Sequence, residues 1–344
     1  MSSFGKSLKT LLLRHECVLL VVLVLEIFLF DALGRKFLTG PNVANIVRQS
    51  AEIGLLALVM TPIILTGGID LSVGSLMGLC AVAFGMLWGE WHWPPALAAV
   101  GAVAVGGLGG GMNALLITRL RLPPLIVTLG TYSLFRGLAE GFTGGTKAYS
   151  NFPDSFLALG GGFALGVPVQ AWIFLGVAVG IWLLVHRTTV GRSFRAIGFS
   201  PEGARYAGLP VAGRVALAYT MVGLMAGLAA VIFVSRVAEA RASAGLGYEL
   251  RAITAVVLGG TSIFGGTGSI HGTLLGVAAI AVLDNGLSRI RSISDVSAEL
   301  FGILTGALLL LALMAGSLAR AWAAHRSRAA TPGKPAVTPT ETAA

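Results

Sequence analysis

Charged residues are scarce in this chain. Asp, Glu, Lys and Arg make up 11% of its 344 residues, while 55% are hydrophobic and the mean hydropathy is +0.85. Soluble domains carry about 25% charged residues, so the composition excludes a water-solvated core and makes the bilayer the main solvent. Only two cysteines are present, Cys17 and Cys80, in separate apolar runs. That excludes a disulfide scaffold, and both are read as packed residues without a disulfide. The five histidines are scattered without metal-ligand spacing, and His15-Glu16 is followed by Leu19 where a zinc-peptidase motif needs a second histidine. His271 reads as a structural hydrogen-bonding group. No Gly-x-x-x-x-Gly-Lys phosphate loop occurs, since Lys147 follows Thr146 and precedes Ala148. The glycines Gly106-Gly-Leu-Gly-Gly-Gly111 lie in an apolar run and read as packing. No nucleophile–base pair is visible. These absences argue against an enzyme, a catalytic site, a bound metal or a cofactor held by this chain.

What is present is a series of long apolar runs without two-residue alternation, which favours helices over a membrane barrel. The expected fold is an all-α membrane protein, a polytopic bundle of about ten transmembrane helices with short glycine-interrupted segments. The spans are expected near 17–33, 51–66, 71–88, 95–117, 124–142, 169–186, 213–235, 250–266, 270–287 and 298–316. Residues 1–16 form a cytoplasmic N-terminus, 17–318 the transmembrane domain, and 319–344 a disordered Pro-, Thr- and Ala-rich tail. The first span follows Lys6, Lys9 and Arg14 without a small-x-small cleavage site and is read as uncleaved. The net charge of +9 is read as marking cytoplasmic loops, not nucleic acid. Arg119, Arg121, Arg192, Arg195 and Arg205 then place both termini in the cytoplasm. Trp88, Trp91 and Trp93 read as an interfacial belt at an outer turn, with carbohydrate stacking as the alternative.

Small residues recur four apart at Gly74/Gly78, Gly107/Gly111, Gly137/Gly141, Gly223/Gly227, Gly272/Gly276 and Gly302/Gly306, a spacing that lets helices approach closely. A second pattern is an internal echo. Gly67-Gly-Ile-Asp-Leu-Ser-Val-Gly-Ser-Leu-Met-Gly78 resembles Gly265-Gly-Thr-Gly-Ser-Ile-His-Gly-Thr-Leu-Leu-Gly276. Paired glycine-interrupted segments point to a transport pathway.

Asp70 lies inside the first of these segments, between two apolar runs. A carboxylate at the bilayer centre costs about 2.5–3.5 kcal/mol on insertion scales, so it must face protein, water or substrate. Capping of the helix that starts near Ser72 and direct solute contact are both open. The other polar residues in or near spans are Ser72, Asn113, Thr128, Thr131, Tyr132 and Asn285, and with Asp70 they are the candidate pathway. For each, interhelical hydrogen bonding is the structural alternative. Arg136 is expected to snorkel or to pair with Glu140.

The largest expected cytoplasmic loop is 187–214. Within it Ser200 is a helix cap, Pro201 the first helical position and Glu202 part of the first turn, with Gly208 and Pro210 as terminators. The expectation is a short, rigid helix carrying an exposed Tyr206.

Four blocks in order carry a resemblance. They are the Gly67 segment, Pro123-Pro-Leu-Ile-Val-Thr-Leu-Gly130, Gly191-Arg-Ser-Phe-Arg-Ala-Ile-Gly198 with its following short helix, and Val257-Leu-Gly-Gly-Thr-Ser-Ile-Phe-Gly-Gly-Thr-Gly-Ser269. Together, over about residues 15–320, the chain resembles the ribose/xylose-type ABC sugar importer permeases. Residues 59–79 and 120–144 look most like the rhamnose branch, with the autoinducer-2 branch next to it. The resemblance implies a permease subunit in a bacterial inner membrane, passing a monosaccharide inward by alternating access. A second permease subunit, a periplasmic sugar-binding protein and a cytoplasmic ATPase that uses ATP are the implied partners, with membrane lipid around them. Carried onto this chain, the ATPase-coupling helix covers Pro201, Glu202, Ala204, Arg205, Tyr206, Ala207 and Gly208. Many members carry Asn or Asp-Asn before this helix and Ala-Ala within it, where this chain has Phe199-Ser200 and Ala204-Arg-Tyr-Ala207. The alternatives are an autoinducer-2 importer of the same family, and an ion-coupled secondary transporter using Asp70 or Asp284.

Overall fold

The computed structural model describes residues 15–33 and 37–293. The expected span at 298–316, the Gly302/Gly306 pair and both chain ends lie outside the described residues. Twelve helices are described. In chain order they are α1 (His15–Leu33), α2 (Gly40–Leu65), α3 (Val73–Gly89), α4 (Pro95–Thr118), α5 (Pro124–Thr143) and α6 (Asp154–Gly161). There follow α7 (Val169–Arg187), α8 (Thr189–Phe199), α9 (Pro201–Tyr206), α10 (Val211–Val237), α11 (Tyr248–Leu258) and α12 (Ile270–Ile293). A two-residue antiparallel hairpin, β1 (Phe163–Ala164) and β2 (Val167–Pro168), pairs Phe163 with Pro168 between α6 and α7. Among the described residues α2, α4, α7, α10 and α12 are long and apolar enough to cross a membrane, and α3 is a shorter apolar helix. The fold is a polytopic helical membrane bundle.

Its axis is α2. Every residue from Ala51 to Leu65 is buried, as expected of a helix that is apolar all round. Around it, α4 and α10 approach backbone to backbone. A Cβ placed on Gly110 would lie 2.5 Å from the Tyr219 carbonyl oxygen, and one on Gly223 would lie 2.7 Å from the Gly110 Cα. Helices that gain no hydrophobic drive from lipid associate through such contacts. The partner of the Gly223/Gly227 ridge is therefore Gly106/Gly110, one residue earlier than the expected Gly107/Gly111. Gly272 and Gly276 pack against Gly259 and Ala255, closing α11 onto α12. Gly74 and Gly78 receive the 242–249 segment, while Gly137 and Gly141 have nothing within 4 Å.

Three expectations need correction. The span expected at 51–66 starts at Gly40, because Pro41 at the helix start and the polar first turns fold without an apolar signal. The run 250–266 is not one helix. α11 stops at Leu258, and its 11 residues cover about 16 Å, half of a hydrocarbon core of about 30 Å. Gly259-Gly260 breaks it, with Gly260 at a φ of +87°. The loop expected between Arg187 and Arg214 contains, besides the expected short helix α9, a further helix α8.

Candidate functional site

The Gly67 segment is a non-helical link between α2 and α3. Gly67 turns the chain at a φ of +82°, and Gly68 leaves room for the Tyr219 hydroxyl, which a Cβ would meet at 2.6 Å. Asp70 then closes a local turn. Its Oδ1 accepts the Ser72 backbone N–H at 2.8 Å and the Ser72 hydroxyl at 2.7 Å. Asn113 of α4 donates its amide to the same Ser72 hydroxyl at 2.8 Å. Thr128 of α5 donates to the Ile69 carbonyl at 3.3 Å. Four helices, α2, α3, α4 and α5, therefore meet at the link 66–72. Asp70, Ser72, Asn113, Thr128 and Thr131 are all buried. Ser75 adds a bond from its hydroxyl to the Ser72 carbonyl.

Not all the expected pathway residues join this group. Thr131 lies one turn from Thr128, and its hydroxyl bonds back to Val127 at 3.1 Å. Tyr132 is half-buried on the same helix. Asn285 is elsewhere: it accepts the Asn42 amide at 3.0 Å, and Asn42 in turn accepts from Arg289. That pair ties α2 to α12 near the start of α2. Arg136 does not use Glu140, which is exposed. Its guanidinium reaches the Ala242 carbonyl in the α10–α11 connection.

The second glycine segment meets the first. The Gly266 N–H donates to the Leu65 carbonyl at 2.9 Å. A Cβ on Gly265 would stand 2.9 Å from Gly67 N and 3.0 Å from the Gly198 Cα. Gly198, near the end of α8, has no room for a Cβ against Leu65 and Gly266. The two echoed segments and the root of the α8–α9 unit thus share one backbone junction. One turn above it, the Thr61 and Thr273 hydroxyls bond at 2.8 Å across α2 and α12.

From this junction α9 projects. Ser200 Oγ accepts the Gly203 N–H at 3.0 Å, Pro201 opens the helix, and Gly208 ends it at a φ of +78°. Thr188 caps α8 in the same way through Val190 and Gly191. Ala204 is the one buried residue of α9; Glu202, Arg205, Ala207 and Gly208 are exposed, and Tyr206 and Phe199 are 93% and 72% exposed.

His271 accepts the Trp182 indole N–H at 2.9 Å, a structural bond between α12 and α7. No group of three or more His, Cys, Asp or Glu suited to a metal occurs among the described residues.

Two ion pairs between helices were not foreseen from the sequence. Arg236, in the last turn of α10, donates its Nε to the fully buried Glu52 at 2.7 Å. Arg251 of α11 pairs with Asp284 of α12 at 3.0 Å. An acidic residue in the α2 apolar run was the visible signal for the first.

Residues 42–313 match the family described as branched-chain amino acid transport system / permease component. The chain belongs to this family. It is a multi-pass transport subunit of the sugar ABC importer permeases. It is similar to the autoinducer 2 import system permease protein LsrD of Enterobacter sp. (strain 638), at 38% identity over 90% of this chain and 95% of that protein. The LsrD protein of Yersinia enterocolitica is 38% identical over 88% of this chain and 92% of its own length. That of Klebsiella pneumoniae is 38% identical over 90% and 94%. These relatives match the alternative branch of the sequence expectation, and rhamnose in particular has no support from them.

Proposed function

We propose that this chain forms part of the translocation pathway of a binding-protein-dependent importer in a bacterial inner membrane. The solute is small and neutral, of the monosaccharide class, and the relatives favour autoinducer 2 within it. The observation that carries the reading is the placement of α9. A self-capped, outward-facing helix stands on the backbone junction of the two glycine segments, so a partner that pulls on it moves α2, α3 and α12 together. In this reading the partner is a cytoplasmic ATPase that contacts Pro201, Glu202, Ala204, Arg205, Tyr206, Ala207 and Gly208. ATP is bound and hydrolysed there, and this chain binds no cofactor.

The end of the bundle bearing α9 also carries Arg119, Arg121, Arg187, Arg192, Arg195 and Arg214. Such basic clustering marks the cytoplasmic side and supports both termini inside. A second permease subunit completes the pathway and a periplasmic binding protein delivers the solute. Asp70, Ser72, Asn113, Thr128, Thr131 and Tyr132 border the cytoplasmic half of the pathway, where Asp70 holds the backbone link in shape. Asn285 belongs to the outer half.

An ion-coupled transporter needs a carboxylate free to take an ion or proton. Asp284 is paired with Arg251 and Asp70 is engaged by Ser72, which favours the ATP-driven reading. The testing experiment is uptake of labelled autoinducer 2 and ribose by vesicles containing the chain with its ATPase and binding protein. Import that requires ATP hydrolysis supports the proposal. Import that follows an ion gradient without the ATPase overturns it.

A further inference from the structure

The Glu52–Arg236 and Asp284–Arg251 ion pairs frame a cavity. It lies between α2, α10, α11 and α12, at the end of the bundle opposite α9, with a volume of about 160 Å³. Its polar lining is Gln49, Ser50, Arg236, Tyr248, Arg251 and Asp284. Ile53 and Ile280 supply an apolar floor. The Asp70 link and its partners contribute nothing to it.

The charges in and behind the wall balance. Arg236 is neutralised by Glu52, and Arg251 by Asp284. An anion or a cation would therefore meet no net opposite charge, whereas a neutral solute would meet fixed donors and acceptors. Each guanidinium has five N–H donors in a fixed plane; the ion pairs use one N–H of each, and Arg236 also interacts with the Tyr248 hydroxyl. Gln49, Ser50 and Tyr248 add neutral lining groups that can both donate and accept. The Tyr248 ring is held edge-on by Phe233, with centroids 6.3 Å apart. Donors and acceptors beside an aromatic ring and an aliphatic floor suit a ring or chain whose faces are C–H and whose rim is hydroxyl. Pockets of this kind fix orientation with few polar groups.

We propose that this cavity is a solute subsite within the single subunit, taking one neutral polyhydroxylated solute of monosaccharide size on the periplasmic side of the pathway. It rests on the reading of the chain as an importer permease, and it adds where the incoming solute first leaves its binding protein. The ion pairs keep the donors and acceptors in position without trapping a charged competitor.

The test uses the full transporter in sealed, outside-out vesicles, on a Cys17→Ala, Cys80→Ala background. Ser50→Cys is labelled with a membrane-impermeant methanethiosulfonate, in the presence of autoinducer 2 or ribose as the probe solute. The prediction is labelling from outside that the imported solute slows about fivefold or more, as expected when occupancy exceeds four-fifths of the sites. In parallel, Ala281→Phe fills the cavity. It is expected to raise the KM for uptake about tenfold, equivalent to losing about one good polar contact, with the amount of assembled transporter unchanged. If the background transporter imports neither solute, the importer reading fails and the subsite with it. If it imports one, but labelling is absent or indifferent to that solute, or Ala281→Phe keeps the original KM, the subsite alone is overturned.

Discussion

Gly266 donates its backbone N–H to the carbonyl of Leu65 at 2.9 Å, joining the second glycine segment to the end of α2, next to the first segment that it echoes in sequence. Gly198 closes the same junction from the foot of α8. Backbone contacts of this kind have no slack, since no flexible side chain separates the three strands of chain. That is why a force on α9 is expected to reach the interior.

The first prediction concerns this junction. Gly198→Ala would drive a methyl group into the Leu65 carbonyl and Gly266. Overpacking costs about 1–3 kcal/mol. We expect a lower thermal midpoint in detergent and loss of ATP-driven uptake. A variant with the parental midpoint and parental uptake would show that the junction tolerates separation.

Arg205 and Tyr206 have exposed side chains with little to hold them in the subunit. Tyr206→Asp and Arg205→Glu should leave folding and membrane insertion unchanged while uncoupling ATP hydrolysis from uptake. Comparing hydrolysis per solute imported checks this. Normal stoichiometry in both variants would remove α9 from the coupling role.

Asp70 receives two hydrogen bonds on one oxygen, which an amide oxygen can also accept. Asp70→Asn should therefore assemble, and its uptake reports whether the charge matters. Asp70→Ala leaves the buried Ser72 N–H without its acceptor, a loss of about 1–3 kcal/mol, and should reduce the yield of folded protein. Equal yields from the alanine variant and the parent would contradict the assigned turn.

The Glu52–Arg236 pair invites a double-mutant cycle. Removing one partner of a buried pair costs about 3–5 kcal/mol, while replacing both with apolar residues is often neutral. Glu52→Leu and Arg236→Met should each destabilise strongly, and the double variant should recover most of the loss. Additive losses would mean that the two side chains act independently.

The outer loop carries a pH dependence. Glu90, just past the end of α3, accepts hydrogen bonds from Lys147 and Tyr149. The Lys147 bond is the larger cause holding the Glu90 carboxyl below its ordinary range, with Tyr149 adding to it. A depressed carboxylate contributes its stabilisation above its unfolded pKa and loses it as pH falls through the folded value. The tether is thus intact at neutral pH and released on acidification below the ordinary glutamate range. Hydrogen exchange at the Tyr149 N–H, which bonds to Ala240 at 2.9 Å, should accelerate relative to other loop amides as the pH drops. Glu90→Gln should remove that dependence.

Local chemistry was legible in the sequence. Ser200, Pro201 and Glu202 specified α9 almost to the residue, because caps and first-turn preferences act over three or four positions. The apolar runs located most of the long helices for a similar reason. Nonlocal choices were not legible. Asp70 and Asn285 look alike in sequence, yet the fold sends them to opposite ends, since polarity in an apolar run says nothing about depth. The cluster 106–111 contains two glycine pairs with the same spacing, and only the facing Gly223 selects Gly106/Gly110. The apolar run 250–266 hid a half-length helix because hydropathy does not register the Gly259-Gly260 break. Glu52 and Arg236 stand 184 residues apart, beyond any pattern of local spacing.

The central claim is that this chain is a conduit whose shape is switched by a partner ATPase. The most direct measurement is solute accumulation in proteoliposomes, with the chain alone and with its second permease subunit, ATPase and binding protein. The account predicts accumulation above the external concentration only in the complete assembly and only with hydrolysable ATP. Accumulation by this chain alone, powered by an ion gradient, would contradict it.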